Sequence, residues 1–183
     1  MKISRNGSET GFARWIVLVS VLVIAALAGW IVWQLRAERM VQKKQEALIL
    51  GIEKRSPSRI KRLLAEDYED RWGFDQDDVV EAILDVGSQF MTLVVTEEDR
   101  SFVIDESSAT VSSRLVISGK PVGPGGNEAT RRLNQLEEPF VFTWEKQSFL
   151  PASWRLIRLD NAGLPEDLYG YEPGDIRRAM RGE

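Results

Sequence analysis

The feature that most constrains this chain is a run of 19 residues without a charge, from Trp15 to Trp33, with Ser20 as its one clearly polar member. As a helix rising 1.5 Å per residue, such a run extends roughly 28 Å, close to the hydrocarbon thickness of a bilayer. Trp15 stands at one end and Trp30 and Trp33 near the other, where headgroup-level anchoring favours aromatic rings. Arg14 and Arg36 bracket the run, placed to snorkel towards water. A 183-residue chain has little room to bury so long an uncharged helix in its own core. A cleaved signal peptide is the rival reading, because Ala26-Leu27-Ala28 fits a small-x-small cleavage site. Five further uncharged residues, Gly29 to Trp33, follow that site where polar sequence is normal, so the run reads as an uncleaved anchor.

The anchor divides the chain. Residues 1–14 form a short polar tail, 15–35 the transmembrane anchor, 36–55 a stalk and first helix, 56–163 a folded domain and 164–183 a C-terminal tail. Lys2, Arg5 and Arg14 on one flank oppose Arg36, Arg39, Lys43 and Lys44 on the other, nearly a tie by the positive-inside rule. A short tail ahead of a single anchor usually stays cytoplasmic. The expectation is therefore a single-pass inner-membrane protein with its C-terminal domain extracytoplasmic.

Charge and composition narrow the function classes. The whole chain has 24 Lys+Arg and 28 Asp+Glu; removing Lys2, Arg5, Arg14 and Glu9 leaves 21 and 27, a net of −6 for the part beyond the anchor. That balance argues against nucleic acid as a partner. There is no Cys, so no disulfide, thiolate nucleophile or zinc ribbon, and no His, so no Ser-His-Asp triad or imidazole base. The acidic groups Glu66-Asp67 with Glu69-Asp70, and Asp75-Asp77-Asp78, lack the spacing of a calcium loop. No catalytic residue, metal site or cofactor is expected.

Pattern then gives the elements. Leu35 to Glu53 continues the anchor helix, becoming apolar at Ala47, Leu48, Leu50 and Ile52. Ser56-Pro57 starts a helix running to about Ala65. Asp75 caps a third, in which Val79, Val80, Ile83, Leu84, Gly87 and Phe90 share a face. Short strands are predicted over Thr92–Thr96 and Ser101–Asp105, the second pairing back over a Glu97–Asp99 turn. Ala109, Val111, Ser113, Leu115 and Ile117 alternate, as do Phe140, Phe142 and Trp144, and a last strand runs from Trp154 through Leu159 with a bulge after Leu156. Residues 119–127, GKPVGPGGN, read as a mobile loop that opens no helix, and Asp175–Met180 as a frayed terminal turn. Helices followed by antiparallel strands indicate an α+β domain, with helices packed on one curved antiparallel sheet.

The stretches RIKRLLAEDYED (59–70), VVEAILDVGSQF (79–90), ATVSSRLVI (109–117), PFVFTWEKQ (139–147) and SWRLIRLDN (153–161) resemble, in order and character, the nuclear transport factor 2-like (cystatin-like α+β roll) superfamily over about residues 40–161. The resemblance implies a cone-shaped roll with an apolar pocket between sheet and helices. It also implies two kinds of member. Isomerases and cyclases place Asp or His with Tyr in that pocket, and tethered members serve membrane complexes. The pocket candidates here are Tyr68, Trp72, Phe90, Asp105, Phe142 and Trp144, with Tyr68 and Asp105 the nearest available acid/base pair. With no His the balance favours a non-catalytic, membrane-anchored interaction domain, partnered by the lipid bilayer and a protein of an envelope complex, or by a second copy. A pocket enzyme or small-molecule binder is the alternative.

Overall fold

The computed structural model describes residues 9–150 and 152–182. Within its first helix, side chains are described at position 15, from 19 to 29 and from 37 onwards. The tail expected over 1–14 and part of the anchor expected over 15–35 lie outside those side chains. Among the described residues no helix is long and apolar enough to cross a membrane. The chain forms two compact units, Met1–Ala37 and Glu38–Glu183. In the first, Trp15, Leu22, Ile24 and Leu27 are exposed.

The second unit is a four-stranded antiparallel sheet in the order β1-β2-β3-β4, built from β1 (Phe90–Ile104), β2 (Ser108–Pro121), β3 (Phe140–Lys146) and β4 (Trp154–Asp160). Among the described residues the α-helices are α1 (Glu9–Glu53), which enters this unit at Glu38, α2 (Pro57–Lys61), α3 (Gln76–Ser88), α4 (Gly123–Asn134) and α5 (Asp175–Arg181). The buried positions Leu93 and Val95, Ala109, Val111 and Ile117, Phe140, Phe142 and Trp144, and Trp154 and Leu156 alternate along their strands, so one sheet face is apolar. Against it pack Ile49 and Ile52 of α1, Val86 of α3, and Ala129 and Leu133 of α4. The helices-on-sheet α+β architecture expected from the pattern is the one observed.

Asp75 caps α3 as expected. Its carboxylate accepts from the backbone N–H groups of Asp77 and Asp78, and the Asp78 side chain accepts from the Asp75 N–H. The bulge after Leu156 is present too, since Thr143 pairs with Arg158 while Trp144 pairs with Leu156.

Four expectations are corrected. Thr92–Thr96 and Ser101–Asp105 are not two strands folded back on each other. They are halves of β1, both paired with β2, because one extra residue at the Glu98/Ser101 register shift is absorbed by a bulge with Asp99 at φ 52°. Residues 119–127 are not a loop: Gly119–Pro121 end β2 and Gly123 opens α4 with Pro124 in its first turn. The glycines there allow close approach, since a Cβ at Gly126 would come within 2.3 Å of the Gln89 carbonyl oxygen. Helix α2 stops at Lys61. Residues 63–71 instead run along β4, with Ala65 N–H donating to Leu156 O, Leu156 N–H to Leu63 O and Arg71 N–H to Leu159 O. They thereby satisfy an edge that would otherwise be open. Finally, α5 is docked, because Arg177 meets the buried carboxylate of Asp85 on α3 at 2.7 Å.

Candidate functional site

Between the apolar sheet face and the helices lies a cavity of about 370 Å³. The sheet contributes Leu93, Val95, Leu115, Ile117, Phe140, Phe142 and Leu159. Val79, Ala82, Ile83 and Val86 of α3 form a second wall, and Ala129, Arg132 and Leu133 of α4 a third. The C-terminal segment adds Leu164, Leu168, Tyr169, Tyr171 and Ile176, and the turn after residue 69 adds Asp70, Trp72 and Phe74. Almost all of this surface is carbon. A volume of this size falls within the range of small-molecule sites.

Asp70 is the buried carboxylate of that wall, and its own neighbours occupy it. Oδ1 accepts from the backbone N–H groups of Trp72 and Phe74, each at 2.9 Å, and Oδ2 faces the Tyr68 hydroxyl at 3.4 Å. Burial pushes the Asp70 carboxyl above its ordinary value of 3.8, partly offset by the two backbone donors. The Tyr68 phenol is driven upwards by burial first and then by the adjacent Asp70 charge. Trp72 also spends its polar edge locally, donating from Nε1 to the Pro165 carbonyl at 3.1 Å.

The C-terminal segment is fastened by Asp85, which is fully buried on α3. Its Oδ2 accepts from the Tyr171 hydroxyl at 2.9 Å and the Ile176 N–H at 3.1 Å, and its Oδ1 from Arg177 Nε at 2.7 Å. Arg177 also pairs with Glu81. Burial, then the hydrogen bond to Asp85, raises the Tyr171 phenol well above its ordinary range. The Tyr171 ring meets Phe74 edge-on, 6.4 Å between centroids. Leu168 and Tyr169, at φ 43° and 61°, make a tight left-handed turn over the cavity. Arg132 sits beneath it, its guanidinium 5.6 Å from the centre of the Tyr169 ring.

The sequence candidates divide between these regions. Trp72 and Phe142 line the cavity. Tyr68 is buried and partnered by Asp70. Phe90 belongs to the core beside Ile49, and its carbonyl accepts from Arg55 Nη2 at 2.5 Å. Trp144 is fully buried and donates to Gln45 Oε1 at 3.1 Å. Asp105 is exposed in the β1–β2 turn, its carboxylate accepting from the Glu106 N–H. The structure thus gives Tyr68 a different carboxylate from the one the sequence offered. Asp70, Asp85 and Arg132 were missed as site residues. Asp70 carried one legible signal, its place two residues from Tyr68 and from Trp72. Asp85 and Arg177 are 92 positions apart and carried none. Among the described residues no group of His, Cys, Asp or Glu is arranged to hold a metal ion.

No family model matches the chain, and no curated protein matches it. Solved structures do. A hexachlorocyclohexane dehydrochlorinase, LinA-type3, from Novosphingobium barchaimii is similar over 69% of this chain and 86% of its own, at 11% identity and a TM-score of 0.52. Bd1075 of Bdellovibrio bacteriovorus is similar over 67% of this chain, at 10% identity and a TM-score of 0.50, and the chain spans 40% of its length. An NTF2-like protein from Cytophaga hutchinsonii is similar over 68% of this chain and 95% of its own, at 15% identity and a TM-score of 0.48. Such distant likeness speaks for the fold alone, an α+β fold with helices packed on one antiparallel sheet.

Proposed function

We propose that this chain is a membrane-tethered, non-catalytic binding domain whose roll holds an apolar small molecule. The observation that carries the reading is the cavity, nearly all carbon, whose buried carboxylate is consumed by Trp72, Phe74 and Tyr68. A general acid or base must reach the proton it moves. Asp70 instead spends its oxygens holding the turn that shapes the wall. At roughly 30 Å³ for each water-sized volume, the space suits a ligand of about a dozen non-hydrogen atoms. The dehydrochlorinase neighbour shows that the fold also hosts enzymes, but loss of hydrogen chloride needs a proton acceptor, and the carboxylate in this lining is engaged by Trp72, Phe74 and Tyr68.

The tether rests on the 19 uncharged residues from Trp15 to Trp33 and their aromatic ends. The orientation proposed puts the roll on the outer side of the inner membrane, in an envelope complex. A reporter fused after Glu183 and active only in the cytoplasm would reverse that orientation.

The test of binding is displacement of a neutral hydrophobic dye, N-phenyl-1-naphthylamine, from the full chain in detergent, compared with Ala129→Phe, which fills the cavity. Saturable binding by the natural chain, lost in a variant whose circular dichroism is unchanged, is the expected result. Equal dye binding by both would sink the reading.

A further inference from the structure

We infer that the cavity selects an amphiphile with one anionic head, seated on Arg132, and an apolar tail of about eight to ten carbons; this rests on the binding reading above and names its ligand class. Of the lining residues with a polar side chain, Asp70 is an acceptor already facing the Trp72 and Phe74 N–H groups and the Tyr68 hydroxyl, Trp72 Nε1 is bonded to Pro165, and the Tyr171 hydroxyl is bonded to Asp85. Arg132 and Tyr169 remain. A guanidinium carries five N–H donors and no acceptor, so the head it meets must be an acceptor, and best an anion with paired oxygens.

The charge around Arg132 agrees. Its Nε meets Glu128 at 2.6 Å, leaving the two Nη groups for a further acceptor. Glu128 is shared with Arg131, which bonds it through Nε at 2.9 Å and Nη2 at 2.6 Å. The two arginines hold the Glu128 carboxyl down at about 2, so it stays ionised, and two cations against one anion leave the trio at +1. An anionic head would neutralise that excess. Geometry places the head at the mouth, since Arg132 is a lining residue yet its side chain is 60% exposed and stacked under Tyr169. The tail would then run inwards over Ala129, Leu133 and Phe142, where a charge would be left without a partner.

The test uses three eight-carbon probes that differ only at the head: octanoate, octanol and octylamine. Each displaces the neutral dye from the full chain, from Arg132→Gln and from Arg132→Lys. Octanoate is expected to bind about tenfold more tightly than octanol, and octylamine more weakly than either. Arg132→Gln should abolish the octanoate preference over octanol, and Arg132→Lys should keep part of it. Equal binding of octanoate and octanol by the natural chain, or a preference that survives Arg132→Gln, would overturn the role of Arg132 and leave the cavity reading standing. Failure of all three probes to displace dye that Ala129→Phe also fails to exclude would overturn the cavity reading instead.

Discussion

The inner face of the sheet is finished differently at its two ends. Around Trp144 it is filled and wired. Trp144 Nε1 donates to Gln45 Oε1, Gln45 Nε2 to Glu97 Oε1 at 2.8 Å, and Ser113 Oγ to the same oxygen at 3.0 Å, with Arg100 on Glu97 Oε2. Gln45, Ser113 and Trp144 are all fully buried. Around Phe142 the same face is left hollow, and the buried carboxylate of Asp70 serves its wall. The difference teaches where stability and function separate. A satisfied polar network with a large aromatic fixes register and packing. An apolar void forgoes contacts that a filled core would make, and a ligand can restore them.

The comparison can be broken most severely at its filled end. Trp144→Ala removes a fully buried ring and the donor to Gln45 Oε1, and should cost about 3–5 kcal/mol in denaturant unfolding. A smaller loss would mean that the wired end is not the anchor of the fold. Next comes the strap over the hollow end. Asp85→Ala strips Tyr171, Ile176 and Arg177 of their shared acceptor and should cost about 2–3 kcal/mol, discounted because Arg177 is partly exposed. Limited proteolysis should then cut first beyond residue 163; an unchanged digestion pattern would show that the strap holds without Asp85.

The hollow end can be sharpened by filling it. Ala82→Leu adds about three carbons to the cavity wall and should raise the unfolding free energy by about 1 kcal/mol while weakening dye binding. Destabilisation would instead show that the space is already closed. The Asp70 wall predicts a pH effect. Burial raises its folded-state value above the unfolded 3.8, so the unfolded chain ionises first as pH rises. Asp70 therefore withdraws stability as pH climbs from just below 3.8 through its raised folded value, and Asp70→Asn should abolish that decline while keeping an acceptor for Trp72 and Phe74. Equal pH slopes in both proteins would contradict the stated cause. The smallest effect belongs to neither end: Lys61→Ala removes an exposed pair with Asp77 and should cost no more than about 0.5 kcal/mol.

Much of this could be read from local spacing. The Asp75 cap, the alternation of Ala109 to Ile117 and the aromatic series Phe140, Phe142 and Trp144 are short-range patterns. They survived because each is decided by neighbours two to four positions away. The 119–127 segment was misread for the opposite reason. Its glycines look like freedom, but Gly126 is small because the Gln89 carbonyl lies against it, a neighbour 37 positions earlier. The two halves of β1 were separated for a similar cause, since only β2 decides that the Asp99 kink is a bulge and not a turn. Within the site, Trp72 and Phe142 were legible as large aromatics near the pocket, and Asp70 only as a near neighbour of Tyr68 and Trp72.

What the sequence alone determined is therefore chemical and local: an uncharged run of 19 residues, a residue set without His or Cys, and the caps and alternations that make helices and strands. These follow from residue type and short spacing. Only the tertiary structure decided that the roll keeps a cavity, that Asp70 is spent on its wall, that the C-terminal residues strap over it through Asp85, and that Arg132 stands at its mouth. The cavity, the Asp85 strap and the place of Arg132 depend on side chains that packing brings together across long separations, whereas Asp70 bonds only to neighbours two to four positions away and owes to tertiary packing its burial in the wall.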